Sequence, residues 1–199
     1  MVTRIGIVGS TCNPPHIDHI AIGEAARRTL KLDRLILIPV KNPPHKEVPS
    51  VSADDRFKMG KLAIARRKGW SVSDMELGRR GKSYTRDTVN ELKRLYPNDE
   101  IFWIVGSDSL MSMPWKWKGG YGILDLCTFV VASRKGHPIR HVSDRIIQKV
   151  KVLKMRPTSV SSTMIRRKLL HRKEVKKYLN AKVLAFIKKN NLYSHESKS

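Results

Sequence analysis

The opening stretch constrains the fold more than any other part of the chain. Ile5-Gly6-Ile7-Val8 is an apolar run of strand character, and Ile20-Ala21-Ile22-Gly23-Glu24-Ala25-Ala26 places apolar residues at helical spacing. Between them stands Gly9-Ser10-Thr11-Cys12-Asn13-Pro14-Pro15-His16-Ile17-Asp18-His19. A buried strand, a glycine turn and a helix in that order open a parallel α/β sheet, and such sheets bind ligands at the carboxyl ends of their strands. The turn and the helix start offer unpaired N–H groups to an anion. His16 and His19 can fall on one face of the first helical turn and point at the same phosphate. From spacing alone, two ordinary polar residues or half of a metal site are also open. A zinc site needs further Cys or His ligands, and none sit nearby in sequence.

The alternation continues down the chain. Arg34-Leu35-Ile36-Leu37-Ile38-Pro39 reads as a second buried strand, followed by a stiff proline loop, Lys41-Asn42-Pro43-Pro44-His45-Lys46. Ser52 is the expected N-cap of the next helix, with Asp55 at the capping-box position and Met59, Leu62, Ala63 and Ile64 on its apolar face. Trp70-Ser71-Val72-Ser73 reads as a short strand. Gly78-Arg79-Arg80-Gly81-Lys82-Ser83 is not a P-loop, because too few residues separate its glycines. Ser83-Tyr84-Thr85-Arg86-Asp87-Thr88-Val89 opens a helix that runs to about Tyr96. Ile101-Phe102-Trp103-Ile104-Val105 is a further strand ending in the small-residue turn Gly106-Ser107-Asp108-Ser109. Asp108 there suits either a helix cap or a sugar hydroxyl or adenine edge. Met113-Pro114-Trp115-Lys116-Trp117-Lys118-Gly119-Gly120 reads as an aromatic loop, and Leu126–Ala132 as a strand followed by Ser133-Arg134-Lys135-Gly136. Val160-Ser161-Ser162-Thr163-Met164-Ile165-Arg166 starts a helix with three hydroxyls at its N-terminal end and an arginine one turn in, a second place for an anion. The expected architecture is a Rossmann-like, doubly wound parallel sheet with helices on both faces.

The chain's 199 residues suit one domain over 1–193, with a C-terminal helical part from about 158 and a disordered tail over 194–199. No apolar run approaches the roughly 20 residues of a membrane span, so no membrane partner is expected. The N-terminus has no signal-peptide layout. Cys12 and Cys127 make no disulfide framework, which points to a reducing cytoplasm. The net charge of +23 implies anionic partners, nucleotides or nonspecific nucleic acid among them, although a lysine-rich solvated surface accounts for any single run. Self-association is left open.

Taken in order, these segments resemble one family. The first loop is similar to the G-x-T-F-D-P-P-H-x-G-H signature of the nucleotidylyltransferase superfamily, and Val160–Arg166 to its I-S-S-T-x-I-R signature. Pro43-Pro44-His45-Lys46, Ser83–Thr88, Val105–Ser109 with a following tryptophan, and the ending through Asn191-Leu192-Tyr193 resemble the bacterial nicotinate-nucleotide adenylyltransferases. The resemblance implies adenylyl transfer from ATP to nicotinate mononucleotide, with Mg²⁺ arriving on the ATP. It implies that His16, His19 and Arg166 are catalytic and that Gly9, Ser10, Thr11, Gly106, Asp108, Ser161 and Ser162 bind ATP. His45, Lys46, Thr85, Trp117 and Arg134 are the implied contacts for the mononucleotide, with no protein metal site. Cys12, Asn13 and Asp18 depart from the signature, standing for an aromatic, an aspartate and a glycine. A carboxylate at 18 costs phosphate affinity unless it turns away or is paired. Trp115 competes with Trp117 for the stacking role. The alternatives are a related adenylyltransferase using nicotinamide mononucleotide or phosphopantetheine, and a basic nucleic-acid-binding protein on the same scaffold.

Overall fold

The structure, a computed structural model, describes residues 2–44 and 48–194. Six strands, β1 (Arg4–Ser10), β2 (Arg34–Pro39), β3 (Trp70–Val72), β4 (Glu100–Gly106), β5 (Thr128–Arg134) and β6 (Val150–Thr158), form one sheet in the order β3-β2-β1-β4-β5-β6. Every pairing is parallel. This is the doubly wound arrangement expected from the alternation. The strand order reverses between β1 and β4, and their carboxyl ends open the crevice where such sheets bind ligands.

Both faces of the sheet are apolar, as parallel strands require. On one face Ile5, Ile7, Ile36, Ile38, Trp103, Val105, Phe129 and Val131 pack against α3 (Thr85–Leu95) and α4 (Ser107–Lys116) through Val89, Leu92, Leu110 and Met113. On the other, Val8, Leu35, Leu37, Phe102, Ile104, Val130 and Ala132 meet Ile20, Ile22 and Ala26 of α1 (Ile17–Leu30). A third cluster joins α2 (Ala53–Ile64) to the C-terminal helices. Met59 and Ala63 pack with Ile165 of α6 (Ser162–Leu170) and with Val183 and Ile187 of α7 (Ala181–Lys189). That cluster holds the start of α6 over the carboxyl end of β1.

Several local expectations are corrected. Ser52 caps α2, accepting the Asp55 N–H at 3.0 Å, but Asp55 does not complete a capping box; its carboxylate accepts the Ser52 hydroxyl instead. Residues 113–116 are the last turn of α4 rather than a loop, because Pro114 sits too near the helix end to stop it, and the Trp117 N–H still reaches the Met113 carbonyl. The C-terminal helical part begins at Ser162, not near 158, since β6 extends to Thr158. β6 escapes a periodicity reading because it is the sheet edge and exposes Lys151, Val152, Lys154 and Arg156 without strict alternation. A short helix, α5 (Asp144–Ile147), precedes it. Of the tail expected over 194–199, only Ser194 lies within the described residues.

Candidate active site

A cavity of about 900 Å³ opens at the carboxyl ends of β1 and β4. Gly9, Ser10, Thr11, His16 and His19 border it from the first loop, and Ser161, Ser162 and Arg166 from the start of α6. Gly106, Asp108, Thr85, Trp117 and Arg134 border it as well. His45 and Lys46 lie outside the described residues. Trp115, the rival for the stacking position, is 82% exposed and does not border the cavity, whereas Trp117 lies edge-on to Phe129 with ring centroids 6.3 Å apart. The two strand-end glycines are there for close approach. A Cβ on Gly9 would come within 2.9 Å of the Trp103 ring, and one on Gly106 within 2.3 Å of the Asp108 carboxylate.

His16 is the N-cap of α1 and His19 its third residue. His19 reaches back as the acidic residue of a capping box does: its Nδ1 accepts the His16 backbone N–H at 3.2 Å. A backbone N–H only donates, so the proton of the neutral His19 ring is on Nε2. That nitrogen lies 3.0 Å from Ser10 Oγ, which also accepts the Cys12 N–H at 3.1 Å. His19 therefore donates to Ser10 and cannot serve as a base for it. The two imidazole rings lie against each other tilted by 33°, with centroids 3.8 Å apart. Burial, then the neighbouring His19 and Arg134, push the pKa of His16 down to about 2, which keeps that ring neutral. Burial pushes the Cys12 thiol up to about 12, so this loop cysteine is no thiolate.

The first loop is tied to the C-terminal helices. Ser162 Oγ donates to the Pro14 carbonyl at 2.8 Å, and Arg166 Nη1 donates to the Asn13 carbonyl at 2.9 Å. Tyr193 donates its hydroxyl to Asn13 Oδ1 at 2.8 Å. Ser161 caps α6 by accepting the Met164 N–H at 3.1 Å. Asp108 is not a helix cap, because Gly106 occupies that position. Asp108 sits in the first turn of α4, 3.6 Å from Arg134 Nε. A register shift between Ala132 and Arg134 at the end of β5 aims that arginine across the strand ends, where it donates to the Val160 carbonyl at 2.8 Å.

Sequence reading misses Arg56. It is 2% exposed and ties four carbonyls together: Nε donates to Val51, Nη1 to Thr11 and Val40, and Nη2 to Lys41. Burial pulls its pKa down. It thereby fixes the turns after β1 and β2 against α2. The available signal is its phase, since residues 56, 59, 60 and 63 share the buried face of α2. A second support holds the start of α3. Thr88 Oγ1 donates to Glu76 at 2.6 Å and accepts from Arg79 at 2.8 Å, while Arg79 also pairs with Glu91 at 2.6 Å. Burial raises the Glu76 pKa. Ser83 N–H donates to the Asn42 carbonyl at 2.9 Å, which sets Ser83–Arg86 beside the proline loop on the cavity wall.

With this geometry in hand, comparison with known proteins decides the family. Residues 7–168 match the cytidylyltransferase-like family model. A protein of Shouchella clausii named probable nicotinate-nucleotide adenylyltransferase is 38% identical over 191 residues, covering 96% of each chain. One of the same name from Thermus thermophilus is 35% identical over 96% of this chain and 99% of its own. The chain belongs to the nicotinate-nucleotide adenylyltransferase family. The fold agrees: the Plasmodium falciparum nicotinic acid mononucleotide adenylyltransferase complexed with NaAD superposes with a TM-score of 0.79 at 19% identity, covering 96% of this chain and 97% of that one. Among the described residues no helix is long and apolar enough to cross a membrane.

Proposed function

We propose that this family member transfers the adenylyl group of ATP to nicotinate mononucleotide, giving nicotinate adenine dinucleotide and pyrophosphate. One observation carries the reading: two anion-binding segments, the His16–His19 turn and the Ser161–Arg166 helix start, face a single cavity of about 900 Å³. An oxygen of the mononucleotide phosphate attacks the α-phosphorus of ATP. The bond from that phosphorus to the bridging oxygen breaks, and pyrophosphate leaves with the electron pair. The protein's part is to hold the reactants in line and to spread donors over the developing charge. The Nε2 proton that His19 gives to Ser10 turns to a phosphate oxygen when ATP binds; Ser161, Ser162 and Arg166 hold the phosphates from the opposite side. Gly9, Ser10 and Thr11 line the phosphate path, and Gly106 and Asp108 receive the adenosine. Thr85 and Trp117 take the pyridine ring, and Arg134 contacts the mononucleotide, as do His45 and Lys46 by the family resemblance.

Direct attack is supported by the state of Ser10 and Cys12 in the first loop. Ser10 Oγ faces two donors, the protonated Nε2 of His19 and the Cys12 N–H, and the Cys12 thiol is buried and neutral. Mg²⁺ supplies charge neutralisation when bound. This reading takes 1–193 as one cytoplasmic catalytic domain. A second reading, nonspecific nucleic-acid binding, is favoured by the thirteen Lys and Arg against one acidic residue, Glu174, between Val150 and Ser194.

The test is pyrophosphate release from ATP and Mg²⁺ with nicotinate or nicotinamide mononucleotide in parallel. Release with the nicotinate compound is expected. No release with either, from folded protein, overturns the proposal.

A further inference from the structure

Asp18 sits at the second position of α1, between the two histidines that border the cavity, yet it is 8% exposed and does not itself border the cavity. Its Oδ2 accepts the backbone N–H of Val160 at 2.8 Å, a buried bond between residues 142 positions apart. The carbonyl of the same Val160 accepts from Arg134 Nη2 at 2.8 Å. Arg134 is in turn 3.6 Å from Asp108 and 3.5 Å from Thr158 Oγ1. Val160 is therefore gripped at its N–H by an acid and at its C=O by a guanidinium, and Ser161 follows at once. Val160 is also packed into the third apolar cluster. A carboxylate in the first turn of a helix is favourably placed with respect to the helix dipole, and a hydrogen bond to a charged acceptor is stronger than a neutral one.

We propose that Asp18 and Arg134 together pin Val160 through the peptide groups on its two sides, which makes Asp18 a positioning residue for the phosphate-holding segment Ser161–Arg166. The inference rests on the adenylyl-transfer reading for its kinetic consequence but not for its structural one. Asp18 accepts a peptide N–H through Oδ2 and does not border the cavity, so its charge is not presented to ATP there. Ser161, Ser162 and Arg166 hold phosphates in both the ground and the transition state, so loosening them weakens ATP binding more than it slows turnover. Asparagine at position 18 keeps an acceptor oxygen at the same reach; alanine removes it.

Two measurements on the full chain test this. Hydrogen exchange of the 158–166 segment, without substrates, should quicken roughly tenfold in Asp18→Ala and stay near wild type in Asp18→Asn. The KM for ATP should rise roughly tenfold in Asp18→Ala with kcat changed far less, and Asp18→Asn should restore it. Wild-type exchange in Asp18→Ala overturns the pin, and so does an Asp18→Asn variant as impaired as alanine. A wild-type protein that makes no dinucleotide sinks the adenylyl-transfer reading, while the exchange comparison still decides the pin.

Discussion

Replacing Arg56 with methionine keeps most of the side chain's volume and deletes its guanidinium. In the native protein that group bridges the Val51 carbonyl at 3.2 Å, Thr11 at 2.9 Å, Lys41 at 2.7 Å, and Val40. Each buried carbonyl left without a partner costs about 1–3 kcal/mol. Thr11, Val40 and Lys41 are only half-buried, so entering water repairs part of the loss, and about 3–5 kcal/mol in total is expected. For a chain of this size each kcal/mol moves Tm by about 2–4 °C, which predicts a fall of roughly 6–20 °C. Thermal unfolding followed by circular dichroism reads this directly. Thr11 and Val40 also border the cavity, so activity below Tm should drop as well. Arg56→Lys should fall between, because an ammonium cannot span the same carbonyls. A Tm for Arg56→Met within about 2 °C of wild type would refute the view that this arginine is the internal tie between the two turns.

Other consequences are as specific. Trp117→Ala should raise the KM for the mononucleotide by roughly 10-fold or more, while Trp115→Ala, removing a ring 82% exposed, should leave it unchanged; equal effects would move the stacking role. His16 is held down to about 2 from its ordinary 6.5, so the unfolded chain takes up a proton in that interval that the folded chain refuses. Its stabilising contribution is therefore complete above 6.5 and is lost as pH falls towards 2. His16→Asn should flatten the fall in Tm between about pH 7.5 and pH 5, and an unchanged slope would contradict the assignment. Cys12 and Cys127 are both pushed up to about 12 by burial, so a thiol reagent at about pH 8 should label neither in the folded protein and both after unfolding.

Strands β1, β2, β4 and β5 were legible because strands buried on both faces are continuous apolar runs. β6 was not, because an edge strand carries lysines where a central one carries valines. The helix over Ser107–Lys116 was obscured by Pro114, a strong stop signal that acts only on the final turn. In the site, the two phosphate-facing segments could be read because each joins a turn to a helix start, a local arrangement. Arg56 could not, since an arginine among charged neighbours resembles an exposed residue until its helical phase is known. Nor could the partner of Asp18, which lies 142 residues away. The sequence posed Asp18 as a charge that must turn away or be paired. The fold turns it away, onto the N–H of Val160. Trp115 and Trp117 were likewise separable only by where α4 ends.

The most direct test of the whole account is product identification by mass spectrometry, with wild type and His19→Ala compared under ATP, Mg²⁺ and nicotinate mononucleotide. Wild type should yield nicotinate adenine dinucleotide with pyrophosphate formed one for one. His19→Ala should lose only a few °C in Tm, from the lost cap on the His16 N–H, while turnover falls by roughly 100-fold or more. Absence of dinucleotide from folded wild type, or a His19→Ala variant as fast as wild type, would contradict it.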